Sequence, residues 1–325
     1  MSQSSQEFIS KVRTQVGHVV VGQQEVVERV LISLFTGGHL LLEGMPGLAK
    51  TLLVNTVAKA VDLKFGRVQF TIDMLPADIL GSEILDQKSS EYRVHKGPIF
   101  TNLLLADEIN RAAPKVQGAL LEAMQERRVT IGGQTFKLPS PFLVIATQNP
   151  VEQSGTFELP EAQLDRFMMC HRLAYPSAED EFGIVAQQMK LKLTRQADGT
   201  AMPQSAYDLI GKEGPAGSME DLVAAMEGVT QVHLSEALTR SMVELVRLTR
   251  THESLEMGAG PRAGLALAQT ARARAFIHGR DYASAEDLFA LAQDVLLHRI
   301  RLSYEAVAEG RSGRDILKQL IAKLG

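Results

Sequence analysis

The chain has 325 residues, 45% apolar and 22% charged, with a formal net charge of −4, which is long enough for two domains of ordinary globular composition. That charge excludes the strongly basic footprint of a nucleic-acid or anionic-lipid binder, and a single cysteine, Cys170, excludes an internal disulfide framework and suits a reducing compartment. No run of about 18 apolar residues occurs, the start MSQSSQEFIS lacks the basic-then-apolar order of a leader, and eight scattered histidines lack metal-ligand spacing, so a cytoplasmic protein without membrane insertion or structural zinc is expected.

Residues 5–17 and 23–36 read as short helices separated by Val19-Val20-Val21-Gly22. Leu40-Leu41-Leu42 has a buried-strand pattern, runs into a glycine-rich turn, and is followed by a helix from about Lys50. Val68–Ile72, Asn102–Ala106 and Phe142–Thr147 are further strand-like runs. They are continuous rather than alternating, which suits strands of a parallel sheet covered on both faces. Pro114–Arg127 carries Val116, Ala119, Leu120, Ala123 and Met124 as a helical stripe, with Pro114 placed to open it. Two hairpins interrupt this layer. One spans residues 82–96 around the polar tip Asp86–Ser90, and the other spans 128–138 around Gly132-Gly133. Beyond Tyr175-Pro176 the pattern turns helical, and the glycine- and proline-rich residues 196–217 read as a linker or long surface loop. Ser218 with Asp221, and Ser284 with Asp287, have capping-box spacing, while Pro261 opens an alanine-rich helix that Gly279 should end. The expected organisation is an α/β domain over residues 1–175, linker and connecting helices over 176–232, and a helical domain over 233–325.

Gly44-Met45-Pro46-Gly47-Leu48-Ala49-Lys50-Thr51 lies between a buried strand and a helix, the context of a phosphate-binding loop. Its glycines let backbone N–H groups turn toward phosphate oxygens, and the helix N-terminus adds its positive end. Lys50 can reach the β- and γ-phosphates, and the Thr51 hydroxyl can sit on Mg²⁺. Ala49 stands where a glycine is usual before the lysine, which is tolerable if that residue already has helical dihedrals.

Leu103-Leu104-Leu105-Ala106 ends in Asp107-Glu108. At the carboxyl end of a parallel strand these acids emerge into the crevice where open α/β sheets bind ligands. Asp107 can hold Mg²⁺, and Glu108 can orient and polarise a water for attack on the γ-phosphate. An acid in both positions favours hydrolysis over transfer to another acceptor.

GMPGLAKT (44–51), ADEINRAAPKVQGALLEAMQE (106–126), ATQNP (146–150), LPEAQLDRF (159–167) and GAGPRA (258–263) together closely resemble the MoxR family of AAA+ ATPases. The match runs from about Val20 to the helices near residue 300, with residues 191–230 outside it. The resemblance implies a P-loop AAA+ α/β domain with two hairpin inserts, an all-α lid, ATP and Mg²⁺ as ligands, and assembly into a hexameric ring. By position it implies that Asn149 is sensor 1, Arg166 an arginine finger acting on a neighbouring subunit, and Arg262 the lid's sensor 2. Arg111 is a candidate second interface arginine, and Val21-Gly22 resembles the adenine-contacting segment. The competing reading of Arg166 is a local salt bridge with Asp165 or Glu161. The family implies a chaperone-like remodeller whose partners can carry von Willebrand factor A domains. The alternatives are a magnesium-chelatase I-type motor subunit and a nucleic-acid motor. The balanced charges of residues 82–96 count against the latter, because such motors need basic hairpins.

Overall fold

The structure is a computed structural model and describes residues 3–45, 47–87, 90–149, 155–195 and 199–324. Helices α1 (Gln3–Gly17) and α2 (Gln24–Thr36) precede strand β1 (Leu40–Glu43) and helix α3 (Lys50–Ala60). Strand β2 (Phe65–Gln69), helix α4 (Pro76–Leu80) and the hairpin β3 (Gly81–Asp86) and β4 (Glu91–Lys96) follow, then β5 (Leu103–Asp107) and α5 (Pro114–Glu126). A second hairpin, β6 (Arg128–Ile131) and β7 (Gln134–Lys137), turns at Gly132-Gly133, both at positive φ as a tight hairpin turn requires. Strand β8 (Leu143–Gln148), the short helix α6 (Glu161–Leu164) and β9 (Met169–Arg172) complete the layer.

Among the described residues five strands pair in the order β2-β5-β8-β1-β9, all parallel. The unbroken apolar runs have a direct cause. Leu40, Leu42, Leu103, Leu105, Leu143 and Ile145 enter the core shared with α1, α2, α3 and the C-terminal helices. Leu41, Leu104, Ala106, Val144 and Ala146 enter the core on the opposite face, against α5 and the hairpins. β1, β5 and β8 alternate faces, and both faces are covered, so their runs are apolar up to the carboxyl ends.

The expected strand Val68–Ile72 lies three residues earlier, at Phe65–Gln69. Its partner explains the shift. Gln69 pairs with Asp107, the last residue of β5, so only the N–H of Phe70 finds a further acceptor, the Asp107 carbonyl at 2.9 Å. Ile72 then turns into solvent at 63% exposure.

The C-terminal half is helical, with α7 (Ala178–Met189), α8 (Met219–Gln231), α9 (Glu236–Thr251), α10 (Pro261–Ile277) and α11 (Ala285–Leu296), followed by α12 (Tyr304–Ala308) and α13 (Gly313–Ala322). Ser218 accepts from the Asp221 N–H while Asp221 accepts from the Ser218 N–H, and Asp287 likewise accepts from the Ser284 N–H. Gly279, at φ 76, follows the end of α10. The segment expected as a linker is more ordered than that. An antiparallel pair joins β10 (Leu193–Arg195) to β11 (Ala201–Pro203), and a 3₁₀ turn covers Ala206–Leu209. Glycine and proline content alone hid a pair only three residues long on each side. One further two-stranded pairing, β12 (Leu255–Met257) with β13 (Arg301–Leu302), ties the start of α10 to the end of α11.

Candidate functional site

The sheet order places β8 between β1 and β5, so the carboxyl ends of the three strands carrying the motifs lie side by side. Glu43 pairs in register with Gln148, and the N–H of Gly44 donates to the Gln148 carbonyl at 3.2 Å. Asn149 therefore leaves the sheet between the phosphate-loop strand and the strand that ends in the two acids. Pro150 and Pro46, both part of the expected motifs, lie outside the described residues.

The Lys50 ammonium donates to the Gly44 carbonyl at 2.9 Å. Burial pushes it below the ordinary lysine value, against the attraction of Asp107 and Glu108, so the cation and both acids share one electrostatic environment. Helix α3 starts without a side-chain cap at Ala49, leaving its first N–H groups available to an anion. Ala49 has φ 53 and ψ 27, the left-handed region. The condition under which alanine would be tolerable there, ordinary helical dihedrals, is not met, and this geometry is the reason a glycine is usual at the position. Gly44 is needed for closeness, because a Cβ there would stand 2.8 Å from that of Leu173. Leu48 is buried, its carbonyl accepting from the Gln23 amide at 2.9 Å, which links the loop to the Val21-Gly22 segment. Gly22, at φ 77, lies against Asp180 of α7, and Gly183 of α7 lies over Val21.

Asp107 is nearly buried, and both its oxygens are engaged. Thr147 Oγ1 donates to Oδ1 at 2.7 Å, and Arg67 donates to Oδ2 from Nη2 at 2.7 Å and from Nε at 3.3 Å. Thr147 Oγ1 also accepts from the Glu108 N–H at 2.8 Å, which fixes where the strand ends. Glu108 follows at φ 57 and ψ 49, a left-handed kink that sends its side chain away from the strand direction. Its Oε2 accepts from the Gln69 amide at 2.7 Å and faces Arg111 Nε at 2.9 Å. Arg111, considered as an interface arginine, is paired within its own chain. The turn after Glu108 is braced by buried Gln117, whose amide donates to the carbonyls of Ile109 and Phe157.

Arg166 stands apart from this group. It lines a cleft with Lys115, Glu122 and Gln163, and none of Lys50, Asp107 and Glu108 lines that cleft. The two acids considered as its local partners are committed elsewhere. Asp165 accepts from Arg299 Nε at 2.8 Å and faces Arg262 Nη1 at 3.5 Å, and Glu161 pairs with Arg301. Arg262, near the start of α10, is thus joined to the residue preceding Arg166.

The sequence reading missed Arg67, Gln69 and Thr147. Thr147 carried a signal, as a polar residue ending an apolar run. Arg67 and Gln69 carried none, because their role depends on the register of β2 against β5. The donor set itself fits the expected ligands. Asp107 and Thr51 offer the hard oxygens that Mg²⁺ prefers, beside an uncapped helix N-terminus and a lysine suited to phosphate.

Residues 39–169 match the family described as "ATPase family associated with various cellular activities (AAA)", and residues 247–320 match the AAA lid domain. The chain is 43% identical over 316 residues to Chaperone MoxR1 of Mycobacterium tuberculosis, covering 94% of this chain and 79% of that protein. It is 31% identical to Protein MoxR of Methylorubrum extorquens, covering 93% and 89%. A crystal structure of a candidate ATPase from Cytophaga hutchinsonii superposes with a TM-score of 0.86 at 44% identity, covering 99% of this chain and 95% of that one. Among the described residues no helix is long and apolar enough to cross a membrane.

Proposed function

This chain belongs to the MoxR family of AAA+ ATPases, and from that premise we propose that it hydrolyses ATP to ADP and phosphate and uses the cycle to remodel client proteins. The observation that carries the reading is the convergence of Lys50, Asp107 and Glu108 at the carboxyl edge of one sheet, beside the free N-terminus of α3. ATP is bound by the loop Gly44–Thr51, with Val21-Gly22 contributing to the adenine side. Asp107 and Thr51 would hold Mg²⁺, which supplies charge neutralisation at the β- and γ-phosphates. Lys50 engages the same phosphates. Glu108 orients and deprotonates the attacking water, Asn149 hydrogen-bonds water and γ-phosphate from the central strand, and Arg262 reports the nucleotide to the lid. Arg166 acts on the ATP of a neighbouring subunit in a ring, which the separate location of its cleft supports.

A protein client is supported by the hairpin β3–β4. Ile84, Leu85 and Tyr92 are exposed on it, while among the described residues Arg93 is paired with Asp86 and Lys96 lies over the rings of Phe100 and Phe136. Among the described residues of the hairpin few positive charges remain for a nucleic-acid backbone. A partner with a von Willebrand factor A domain is within this reading, and its identification follows from the experiment. Lys50→Ala should lose nucleotide binding and turnover together. Glu108→Gln should keep binding but lose turnover by two or more orders of magnitude, roughly the contribution of a positioned base. Captured with ATP, the Glu108→Gln protein should retain its client from lysate. Steady-state hydrolysis undiminished in Glu108→Gln would remove Glu108 from the water-orienting role.

A further inference from the structure

Arg67 is on β2, the edge strand of the sheet, and its guanidinium makes a two-point pair with Asp107 Oδ2 at 2.7 and 3.3 Å. The same Nη2 donates to Gln69 Oε1 at 2.7 Å, so the fork is oriented from its own strand. The other Asp107 oxygen is held by Thr147. The Asp107 side chain is 13% exposed and that of Arg67 is 46% exposed. A carboxylate this buried, next in sequence to a second acid, needs a counter-charge, and Arg67 provides one from within the chain.

That arrangement has a consequence for the metal. Oδ2 is filled by two Arg67 donors and Oδ1 has one site left beside Thr147, so a divalent cation reaching Asp107 either takes the place of the guanidinium on Oδ2 or binds Oδ1 with that charge on the same carboxylate. A guanidinium and a divalent cation on one carboxylate repel each other strongly where water is scarce. We propose that Arg67 is a resident counter-cation of Asp107, so that metal binding at this site is an exchange of one cation for another. The proposal rests on Asp107 being the metal-binding acid. Arg67 is a positioning residue that acts through Asp107. Its exposed half and its edge strand let it swing into solvent when displaced, with no core to reorganise. The exchange sets how much Mg²⁺ is needed before nucleotide is held tightly, and it leaves the metal-free affinity for nucleotide unchanged, because Lys50 and the loop N–H groups make those contacts.

The test is a titration of a fluorescent, non-hydrolysable ATP analogue into the full chain at graded Mg²⁺, corrected for the analogue's own Mg²⁺ binding. Arg67→Gln should reach half of its Mg²⁺-dependent gain in affinity at roughly five- to tenfold lower Mg²⁺ than the unaltered chain, the scale of one charge-assisted pair. Arg67→Lys, with a single contact in place of a fork, should shift in the same direction by less, and it serves if the glutamine variant does not fold. Affinity in EDTA should be the same in all three. An unchanged Mg²⁺ midpoint in both variants, with Asp107→Asn abolishing the Mg²⁺ effect, would overturn the exchange while leaving Asp107 as the metal residue. A Mg²⁺ effect that survives Asp107→Asn would overturn the assignment of Asp107 and the exchange with it.

Discussion

Ala49 meets the start of α3 in a left-handed conformation, φ 53 and ψ 27, in which its Cβ crowds the following carbonyl. The cost of such a residue is about 1 kcal/mol, and the loop bears it because the next residues must present N–H groups to an anion. Ala49→Gly should therefore stabilise the protein by roughly 0.5 kcal/mol, the relieved crowding of about 1 kcal/mol exceeding a loss of about 0.5 kcal/mol from a more flexible unfolded chain. Urea unfolding checks this, as a higher midpoint at unchanged slope. A midpoint equal to or below that of the unaltered chain would mean that Ala49 is not strained. Glu108 carries the same kind of strain at φ 57, but no glycine can relieve it without removing the carboxylate. One strained residue lies on the loop before α3 and the other at the end of the acid strand.

Three elements of the α/β layer are joined through one buried ring. His39, just before β1, accepts at Nδ1 from the Val144 N–H of β8 at 3.0 Å and donates from Nε2 to the Met124 carbonyl of α5 at 3.2 Å. Only the neutral ring can do both, and burial pushes its pKa from 6.5 down to about 4. The folded value is depressed, so the full contribution is present above about pH 6.5, where the unfolded chain also holds a neutral ring. It is lost as pH falls toward about 4, because the unfolded state takes up the proton first. By pH 5 this amounts to about 2 kcal/mol. Comparing unfolding free energies at pH 7 and pH 5, the unaltered chain should lose more than His39→Gln, which is less stable throughout but has no ring to protonate. His298, also pushed below its ordinary value by burial, falls equally in both, so the difference isolates His39. Equal losses would acquit it. Such junctions also mark how far the sequence could be read. The strand ends with Lys50, Asp107 and Glu108 were legible, because a lysine after a glycine loop and acids after an apolar run are local patterns. The slip of β2 was not, because it depends on where β5 stops. The joint between α2 and the lid was not legible either: buried Arg29 binds Glu25, Glu28 and Asp294, residues up to 265 positions away. Glu25, Asp294 and His171 approach one another closely enough to resemble a metal site, but the Arg29 guanidinium already serves as their cation.

At the scale of the molecule, the candidate nucleotide site has a lysine and both acids, while Arg166 occupies a separate cleft with Lys115, Glu122 and Gln163. Asp165 and Glu161 are committed to Arg299, Arg262 and Arg301, so the two local salt bridges considered for Arg166 are already taken, while Glu122 shares its cleft. In the proposed ring, an arginine in that position would be available to a site on another subunit. Arginine fingers contribute roughly 10³–10⁵ in rate in related phosphoryl transfers, so Arg166→Ala alone should be nearly inactive. Glu108→Gln alone should be nearly inactive for a different reason, the loss of the base. If the two mutants are mixed under conditions that exchange subunits, an Arg166→Ala subunit keeps its own Glu108 and can receive Arg166 from a Glu108→Gln neighbour. That interface is chemically complete, so the mixture should recover a measurable fraction of the unaltered rate, with a maximum at intermediate ratios because complete interfaces need the two mutants side by side. If Arg166 served its own subunit, every site in the mixture would lack one group and no ratio would recover activity. The measurement is the ATPase rate across mixing ratios, with differential tags showing that mixed rings form. Mixed rings without recovery would rule out the trans role, and Arg166 would then have to act through Asp165 and the lid arginines Arg262 and Arg299 that hold it.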